Sequence, residues 1–215
     1  MAALSPDSIL LTGRVAVVAG AARGAGPAIA EAFAAFGAHV AACDRDKPHG
    51  EPAMTVRDQV AVEVFAEAVR ERWGRVDVLV NNQGSADASH EGFAGSSPRG
   101  ERLLFEEHFT QVTGMIRTML PLMRPGASIV TVVPPETGAP VHAAMRAALE
   151  SLTRTLAAEL APRGIRVNAI TPRTENDNPR APDESLCGAA VFLAGDLARS
   201  VTGTTVRLDA GPAAN

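Results

Sequence analysis

The chain contains no tyrosine and only one lysine, Lys47, among its 215 residues. Tyrosine and lysine are two of the side chains that act as acids, bases or nucleophiles in enzymes. Their scarcity excludes chemistry that depends on a phenol, or on a lysine anywhere but at position 47. Any proton transfer by this chain must use a different side chain, water or the substrate.

Long apolar runs, excess positive charge and cysteines are also scarce. No apolar run reaches the roughly 20 residues of a membrane-spanning helix, and a net charge of -4 leaves no broad basic face for nucleic-acid phosphates. The first twelve residues lack a positive segment followed by an apolar stretch, so no secretory signal is expected. Cys43 and Cys187 lie far apart in apolar contexts and are expected to be buried thiols. These features predict a cytoplasmic protein with neither a membrane nor a nucleic-acid partner.

The sequence does contain short apolar runs that alternate with longer amphipathic segments, a pattern typical of βαβ units and a parallel sheet. Seven apolar runs predict strands covered by helices on both sides, at residues 15–19, 39–43, 54–56, 76–80, 128–133, 166–170 and 205–208. The amphipathic segments predict helices over residues 27–36, 59–73, 101–123, 141–160 and 184–193. We therefore expect an α/β fold, a single domain over residues 1–215, with a seven-stranded parallel sheet and helices on both faces.

Three connections are predicted to be loops. Residues 44–52 leave no room for a crossover helix, residues 85–99 are rich in Gly, Ser and Ala, and residues 171–182 carry three prolines. None of these loops is long enough to mark a domain boundary.

A glycine-rich turn follows the first predicted strand and leads directly into a helix. Gly20, Gly24 and Gly26 have the spacing G-x-x-x-G-x-G, with Arg23 and Ala25 between them. The first glycine permits a tight turn, the second removes a side chain where backbone approaches a pyrophosphate, and the third lets helix and strand pack closely. Backbone N–H groups at the helix start then face the anion. The turn predicts a dinucleotide-phosphate site, and the alternative is a tight loop without a ligand.

Asp44 ends the next predicted strand, 18 residues beyond Gly26. A carboxylate there can accept both ribose hydroxyls and would repel a 2′-phosphate, which favours NAD(H). Arg23 points the other way, because a guanidinium can pair with a 2′-phosphate and would admit NADP(H). The alternative for Asp44 is a solvated turn residue.

Motifs along nearly the whole chain, taken together, resemble one enzyme family. They are the glycine-rich turn, the run Asn81-Asn82-Gln83-Gly84, and the segments 147–168, 192–194, 201–203 and 208–211. On these residues the chain resembles the short-chain dehydrogenase/reductase family. The resemblance implies a Rossmann-fold domain that binds NAD(H) or NADP(H), with Asn81 and Gly84 in a turn beside the adenosine. Val56, at the end of the third predicted strand, completes the predicted cofactor site.

The family's catalytic residue types are all replaced. The resemblance implies a tyrosine acid/base, a lysine four residues later, an asparagine in the preceding long helix and a serine at a strand end. Those positions hold His142, Arg146, Gln111 and Pro134. His142 and Arg146 share one face of a predicted helix, where an imidazole can be a general acid near neutral pH and Arg146 can hold a ribose or stabilise an oxyanion. The alternative for His142 is a histidine in the first turn of a packed helix.

The sequence leaves two functions open. One is an atypical NAD(P)-dependent oxidoreductase acting on a carbonyl or alcohol, with the proton supplied by His142, water or the substrate. The other is a catalytically inactive subunit that keeps the scaffold for binding or assembly. The resemblance also implies a substrate lid, predicted here to be truncated before residue 183. It further implies a homodimer or tetramer, or pairing with an active relative. No spacing of histidines and cysteines predicts a metal site.

Overall fold

The computed structural model describes residues 5–46, 53–56, 58–82, 93–135, 138–172 and 184–208. Within these ranges seven strands form one sheet in the order β3-β2-β1-β4-β5-β6-β7, and every neighbouring pair is parallel. The strands are β1 Val15–Ala19, β2 His39–Asp44, β3 Ala53–Thr55, β4 Val76–Asn81, β5 Met123–Val132, β6 Arg166–Thr171 and β7 Thr205–Arg207. The predicted fold is confirmed: this is a single Rossmann-like α/β domain.

Helices cover both faces of the sheet. They are α1 Gly26–Ala35, α2 Gln59–Trp73, α3 Pro98–Phe105, α4 Gln111–Met119, α5 Pro140–Leu160 and α6 Glu184–Ala194. Alternate residues of β1 enter two separate cores: Val17 packs with α2, α4 and α5, whereas Val18 packs with α1 and α6. Every residue of β1 is buried for this reason. In the described part of the chain, no helix combines the length and apolarity that a bilayer span requires.

The helix boundaries have local causes. The Asp58 carboxylate accepts a hydrogen bond from the Ala61 N–H at 2.8 Å and so caps the start of α2. Gly74 ends α2 with a φ of +68°, a left-handed conformation that glycine adopts without a Cβ penalty. Asp58 and Gly74 therefore fix the two ends of the helix predicted over residues 59–73.

The helix predicted over residues 101–123 differs from the structure at its start, in its continuity and at its end. Helix α3 begins at Pro98, where the Ser97 hydroxyl accepts from the Gly100 N–H at 3.1 Å. A π-helical turn, Glu106–Thr110, separates α3 from α4. Helix α4 ends at Met119, and a 3-10 turn, Leu120–Leu122, leads straight into β5. Pro121 explains why α4 ends at Met119. Its ring would clash with the preceding helical turn, and it has no N–H to donate to that turn.

Strand β5 also starts earlier than predicted, at Met123 rather than at residue 128. Its ladder with β4 pairs Val76 with Met123, and the register shifts before Val78 pairs with Ser128. Pro125 and Gly126, the latter with a φ of +93°, lie in this irregular stretch and resemble a turn in sequence. All other predicted helices and strands agree with the structure to within one residue at each end.

The predicted loops lie partly outside the described residues: positions 47–52, 83–92 and 173–183 are not described. The truncated lid belongs to the last of these segments, so it stays a prediction. Residues Phe93–Gly95 form a 3-10 turn and Pro98 already belongs to α3, so the end of the predicted loop 85–99 is helical. Cys43 is buried as expected, whereas Cys187 is only half-buried.

Candidate functional site

The glycine-rich turn lies at the carboxyl end of β1, beside β4, where the strand order reverses. Gly20 and Gly24 adopt positive φ values of 82° and 57°, which residues with a side chain rarely adopt. Gly26 begins α1, and a Cβ built there would lie 1.9 Å from the Gly20 carbonyl oxygen. The third glycine is therefore required by close packing between helix and turn. Beside Gly24, by contrast, no atom lies within 4 Å of a built Cβ, so this position is open.

The end of β2 holds the turn in place. The Ala22 N–H donates to Asp44 Oδ2 at 2.8 Å, and the Asp46 N–H donates to Oδ1 at 3.3 Å. The N–H groups of Gly20 and Ala21 both donate to the Cys43 carbonyl. Asp44 is only 8% exposed, so it is not the solvated turn residue considered as an alternative. A buried carboxylate that accepts backbone N–H bonds fixes the turn and keeps lone pairs for a further donor.

Asn82, which the sequence analysis did not select, makes the second attachment of the turn. Its amide Nδ2 donates to the Gly20 carbonyl at 2.9 Å and to the Arg23 carbonyl at 3.3 Å. Its backbone N–H donates to the Ala19 carbonyl at 2.8 Å. Asn81, the predicted residue, ends β4 with no exposed surface. Strand alternation is the signal that could have separated the two, because consecutive side chains leave the sheet on opposite faces.

A cleft of about 220 Å³ opens beside this turn. Five of the predicted residues line it: Gly20, Arg23, Asp44, Val56 and Gln111. Gly24, Ala25 and Gly26 form the turn and helix start next to the cleft without lining it, and Gly84 lies outside the described residues. The lining also includes residues that sequence reasoning missed, namely Arg45, Asp58, Gln59, Val62, Asn82, Glu106, Glu107 and Thr110. Most of these come from α2 and the π turn, which no motif connects to the glycines.

Both arginines at the cleft have carboxylate partners. Arg23 Nε lies 3.3 Å from Asp46 Oδ2, and Arg45 Nη1 lies 2.6 Å from Glu107 Oε1. Asp44, Asp58 and Glu106 add further carboxylates to the lining. The lining of the cleft therefore combines two paired arginines with a surplus of carboxylates.

His142 and Arg146 lie one turn apart on α5, with exposures of 9% and 8%. The Arg146 guanidinium lies 3.9 Å from Glu150, which lies at the same distance from Arg207. The two residues share a face, as predicted, and that face turns inward. Pro134 follows β5 and is half-buried, and it offers no hydroxyl. The strand's own Ser128 points to the opposite side, where it donates to the Leu193 carbonyl at 2.8 Å.

Gln111 lines the cleft beside the glycine-rich turn, and its predicted catalytic role stays a prediction. The residue beside His142 is His108, with the ring centroids 6.5 Å apart and the rings inclined at 62°. In an uninterrupted α-helix residues 108 and 111 would share one face. The π turn contains an extra residue and rotates the two positions apart. Among the described residues, no three histidines, cysteines or acids come together in a way that could hold a metal ion.

Comparisons with known proteins give consistent matches. A family model described as "Enoyl-(Acyl carrier protein) reductase" matches residues 20–176. D-threitol dehydrogenase of Mycolicibacterium smegmatis is 32% identical, with 94% of this chain and 93% of that protein aligned. Oxidoreductase UcpA of Escherichia coli K12 is 29% identical, with 94% and 95% aligned. The first alignment runs over 254 positions, more than this chain has residues, so that relative carries internal segments which this chain lacks.

Two solved structures share the fold. One is from Burkholderia xenovorans and is described as a short-chain dehydrogenase/reductase; it has a TM-score of 0.84 and 31% identity, covering 95% of this chain and 98% of that one. The other is a short-chain dehydrogenase/reductase from Serratia marcescens, with a TM-score of 0.81 and 27% identity over 94% and 98%.

Proposed function

The chain belongs to the short-chain dehydrogenase/reductase family, and we propose that it binds NAD(H) in the cleft beside the glycine-rich turn and interconverts a carbonyl and an alcohol. The observation that carries this proposal is the glycine-rich turn, which has all three glycines and is held by hydrogen bonds from both neighbouring strands. Gly26 permits a helix–turn contact that no other residue fits, and Asp44 and Asn82 hold the turn from both sides. A chain with no nucleotide to bind would need neither the open position at Gly24 nor these attachments.

The charges around the cleft favour NAD(H) over NADP(H). A 2′-phosphate would meet the Asp44 carboxylate, and its attraction to Arg23 or Arg45 would compete with existing partners at 3.3 Å and 2.6 Å. Unphosphorylated ribose hydroxyls can instead donate to Asp44, whose Oδ1 and Oδ2 each accept one backbone N–H and retain lone pairs.

The residues present fit a dinucleotide. The N–H groups at the start of α1 would face the pyrophosphate, Asp44 would accept hydrogen bonds from the adenosine ribose, and Val56 and Gln111 would line the cleft that holds the nucleotide. When bound, the nicotinamide supplies or accepts a hydride. On the protein side, His142 would hold or move the accompanying proton. Arg146, which cannot act as a base, would stabilise negative charge on an oxygen of the substrate.

The alternative, a non-catalytic binding or assembly subunit, has less support. The relatives described above are named as a dehydrogenase and an oxidoreductase. An experiment can distinguish this alternative, because such a subunit would bind nucleotide without converting any substrate.

The test follows the absorbance of the nicotinamide while the full chain is incubated with substrates. One arm combines NADH with a panel of aldehydes and ketones, and the other combines NAD with sugar alcohols and other polyols. We expect turnover with at least one compound class, and a loss of about 10²-fold or more in H142Q if the imidazole moves the proton. The matched control is H39Q, because His39 is exposed and lies at the start of β2, far from the cleft. Nucleotide binding without turnover across the panel would contradict the catalytic part of the proposal.

A further inference from the structure

One ion pair links two elements that line the cleft, the end of β2 and the π turn. Arg45 directly follows β2 and Glu107 belongs to the π turn, and both residues line the cleft. Arg45 Nη1 donates to Glu107 Oε1 at 2.6 Å. The arginine side chain is 49% exposed and the glutamate side chain 31% exposed. The pair therefore lies where a ligand that enters the cleft from solvent would meet it.

The position of Arg45 decides which ligands it could bind. Arg45 lines the same cleft as Asp44, the carboxylate that holds the glycine-rich turn through the Ala22 N–H. In the proposed complex Asp44 accepts hydrogen bonds from the adenosine ribose. A guanidinium next to that ribose can bind a phosphate on its 2′-oxygen through charge-assisted hydrogen bonds. Without a partner, Arg45 would therefore admit a nucleotide that carries a 2′-phosphate.

Glu107 opposes such a phosphate in two ways. Its carboxylate already accepts a short hydrogen bond from the Arg45 guanidinium, so a phosphate would have to compete for that donor. A phosphate oxygen bound to the same guanidinium would also lie roughly 5–8 Å from the Glu107 carboxylate. In water, the repulsion between one carboxylate and a doubly charged phosphate at this distance weakens binding roughly five- to tenfold.

We propose that Glu107 is a specificity-determining residue of the cleft: it keeps Arg45 paired and thereby excludes dinucleotides that carry a 2′-phosphate. The inference rests on the proposed function and deepens it, because it names a side chain that adds to the effect of Asp44. Asp44 also holds the turn, so replacing it changes the fold of the site together with its charge. Glu107 makes no contact with the turn in the described part of the chain, and its charge can be removed separately.

Glu106 provides a matched control for the removal of this charge. It precedes Glu107 in the π turn and lines the same cleft. Within the described residues, the two arginines that line the cleft pair with Asp46 and Glu107, and Glu106 has no arginine partner. The variants E106Q and E107Q therefore change the net charge of the lining equally, but only E107Q releases an arginine.

The experiment is calorimetric titration of the full chain with NADH and with NADPH, for wild type, E107Q, E106Q and the double variant R45Q/E107Q. In E107Q, NADPH should bind about tenfold more tightly than in wild type, whereas NADH affinity should change by less than about threefold. E106Q should change the ratio of the two affinities by less than about threefold. In R45Q/E107Q the gain for NADPH should disappear, because the guanidinium that would bind the phosphate is gone.

The ratio of NADPH to NADH affinity separates this role from a structural one, because a loosened cleft would weaken both nucleotides together. The gain in E107Q should also shrink as salt is added, since exposed charges are screened. E107A gives the same reading if E107Q does not fold. An unchanged ratio in E107Q, an equal gain in E106Q, or a gain that survives in R45Q/E107Q would overturn the proposal.

Failure of this inference can be told apart from failure of the proposed function. If wild type binds NADH and E107Q gains nothing for NADPH, the proposed cofactor stands and the role of Glu107 is wrong. If wild type binds neither nucleotide and E107Q binds NADPH, the role of Glu107 stands and the proposed binding of NAD(H) is wrong. If no variant binds either nucleotide, both are wrong.

Discussion

Replacing Gly26 with alanine is the sharpest test of how the turn is built. The added Cβ would lie 1.9 Å from the Gly20 carbonyl oxygen and 2.8 Å from the Ala21 Cα. Both neighbours are backbone atoms, so no side chain can rotate away and the helix start must move by about 1 Å or more. Forced overpacking of this kind costs about 1–3 kcal/mol and occasionally more, and we expect a value near 3 kcal/mol for G26A.

Two other glycines provide matched controls for this substitution. Gly188 is exposed within α6 with no atom within 4 Å of a built Cβ, so G188A should be stabilising by about 0.5–1 kcal/mol. Gly24 is equally open but has a φ of +57°, so G24A should cost about 1–2 kcal/mol from backbone strain alone.

The assay is urea unfolding of the four proteins, with NADH affinity measured on each folded variant. The predicted order of stability is G188A, wild type, G24A, G26A. The G26A variant should also lose at least about tenfold in NADH affinity, because the N–H groups that face the pyrophosphate shift with the helix start. Wild-type stability and affinity in G26A would refute the packing argument.

Four further outcomes are expected. D44N keeps one acceptor for the Ala22 N–H but loses the charge, so it should be destabilised by about 1–2 kcal/mol. Calorimetry should show that D44N binds NADH about tenfold more weakly than wild type and that its loss of NADPH affinity is smaller. N82A removes the amide that donates to the Gly20 and Arg23 carbonyls and should cost about 1–3 kcal/mol in urea unfolding. D58A removes the N-cap of α2 and should cost about 1 kcal/mol, while D58N, which keeps an acceptor, should cost much less; equal losses in the two would contradict the capping role. Burial raises the pKa of the Cys43 thiol well above its usual range. A C187S variant should therefore show no thiol reactive to a disulfide reagent at pH 8 until it is unfolded, and its stability should fall as the pH rises above the ordinary thiol pKa, because only the unfolded chain then loses the proton.

Most of the fold could be predicted because its signals are local. A buried parallel strand is apolar on both faces, and the caps and closing glycines of the helices depend on a few neighbouring residues, as Asp58 and Gly74 illustrate. The third glycine of the turn was predicted for the right reason, since the close contact of helix and strand is what Gly26 provides.

The features that the sequence did not reveal have one physical origin: the direction of a side chain depends on geometry that the sequence does not display. A π turn leaves no motif, so the rotation that takes Gln111 to the cleft and brings His108 against His142 could not be predicted. The contact of Asn82 with the turn depends on where β4 ends, because one residue decides which face a side chain occupies. Residues of α2 and the π turn line the cleft only because the sheet brings them beside the glycines.

Isothermal titration of the full chain with NADH and with NADPH tests the central claim, that this scaffold retains a dinucleotide site although tyrosine is absent from the chain. We predict saturable 1:1 binding of NADH that is at least about tenfold tighter than that of NADPH. Absence of heat with both nucleotides, from a protein that unfolds cooperatively, would contradict the claim.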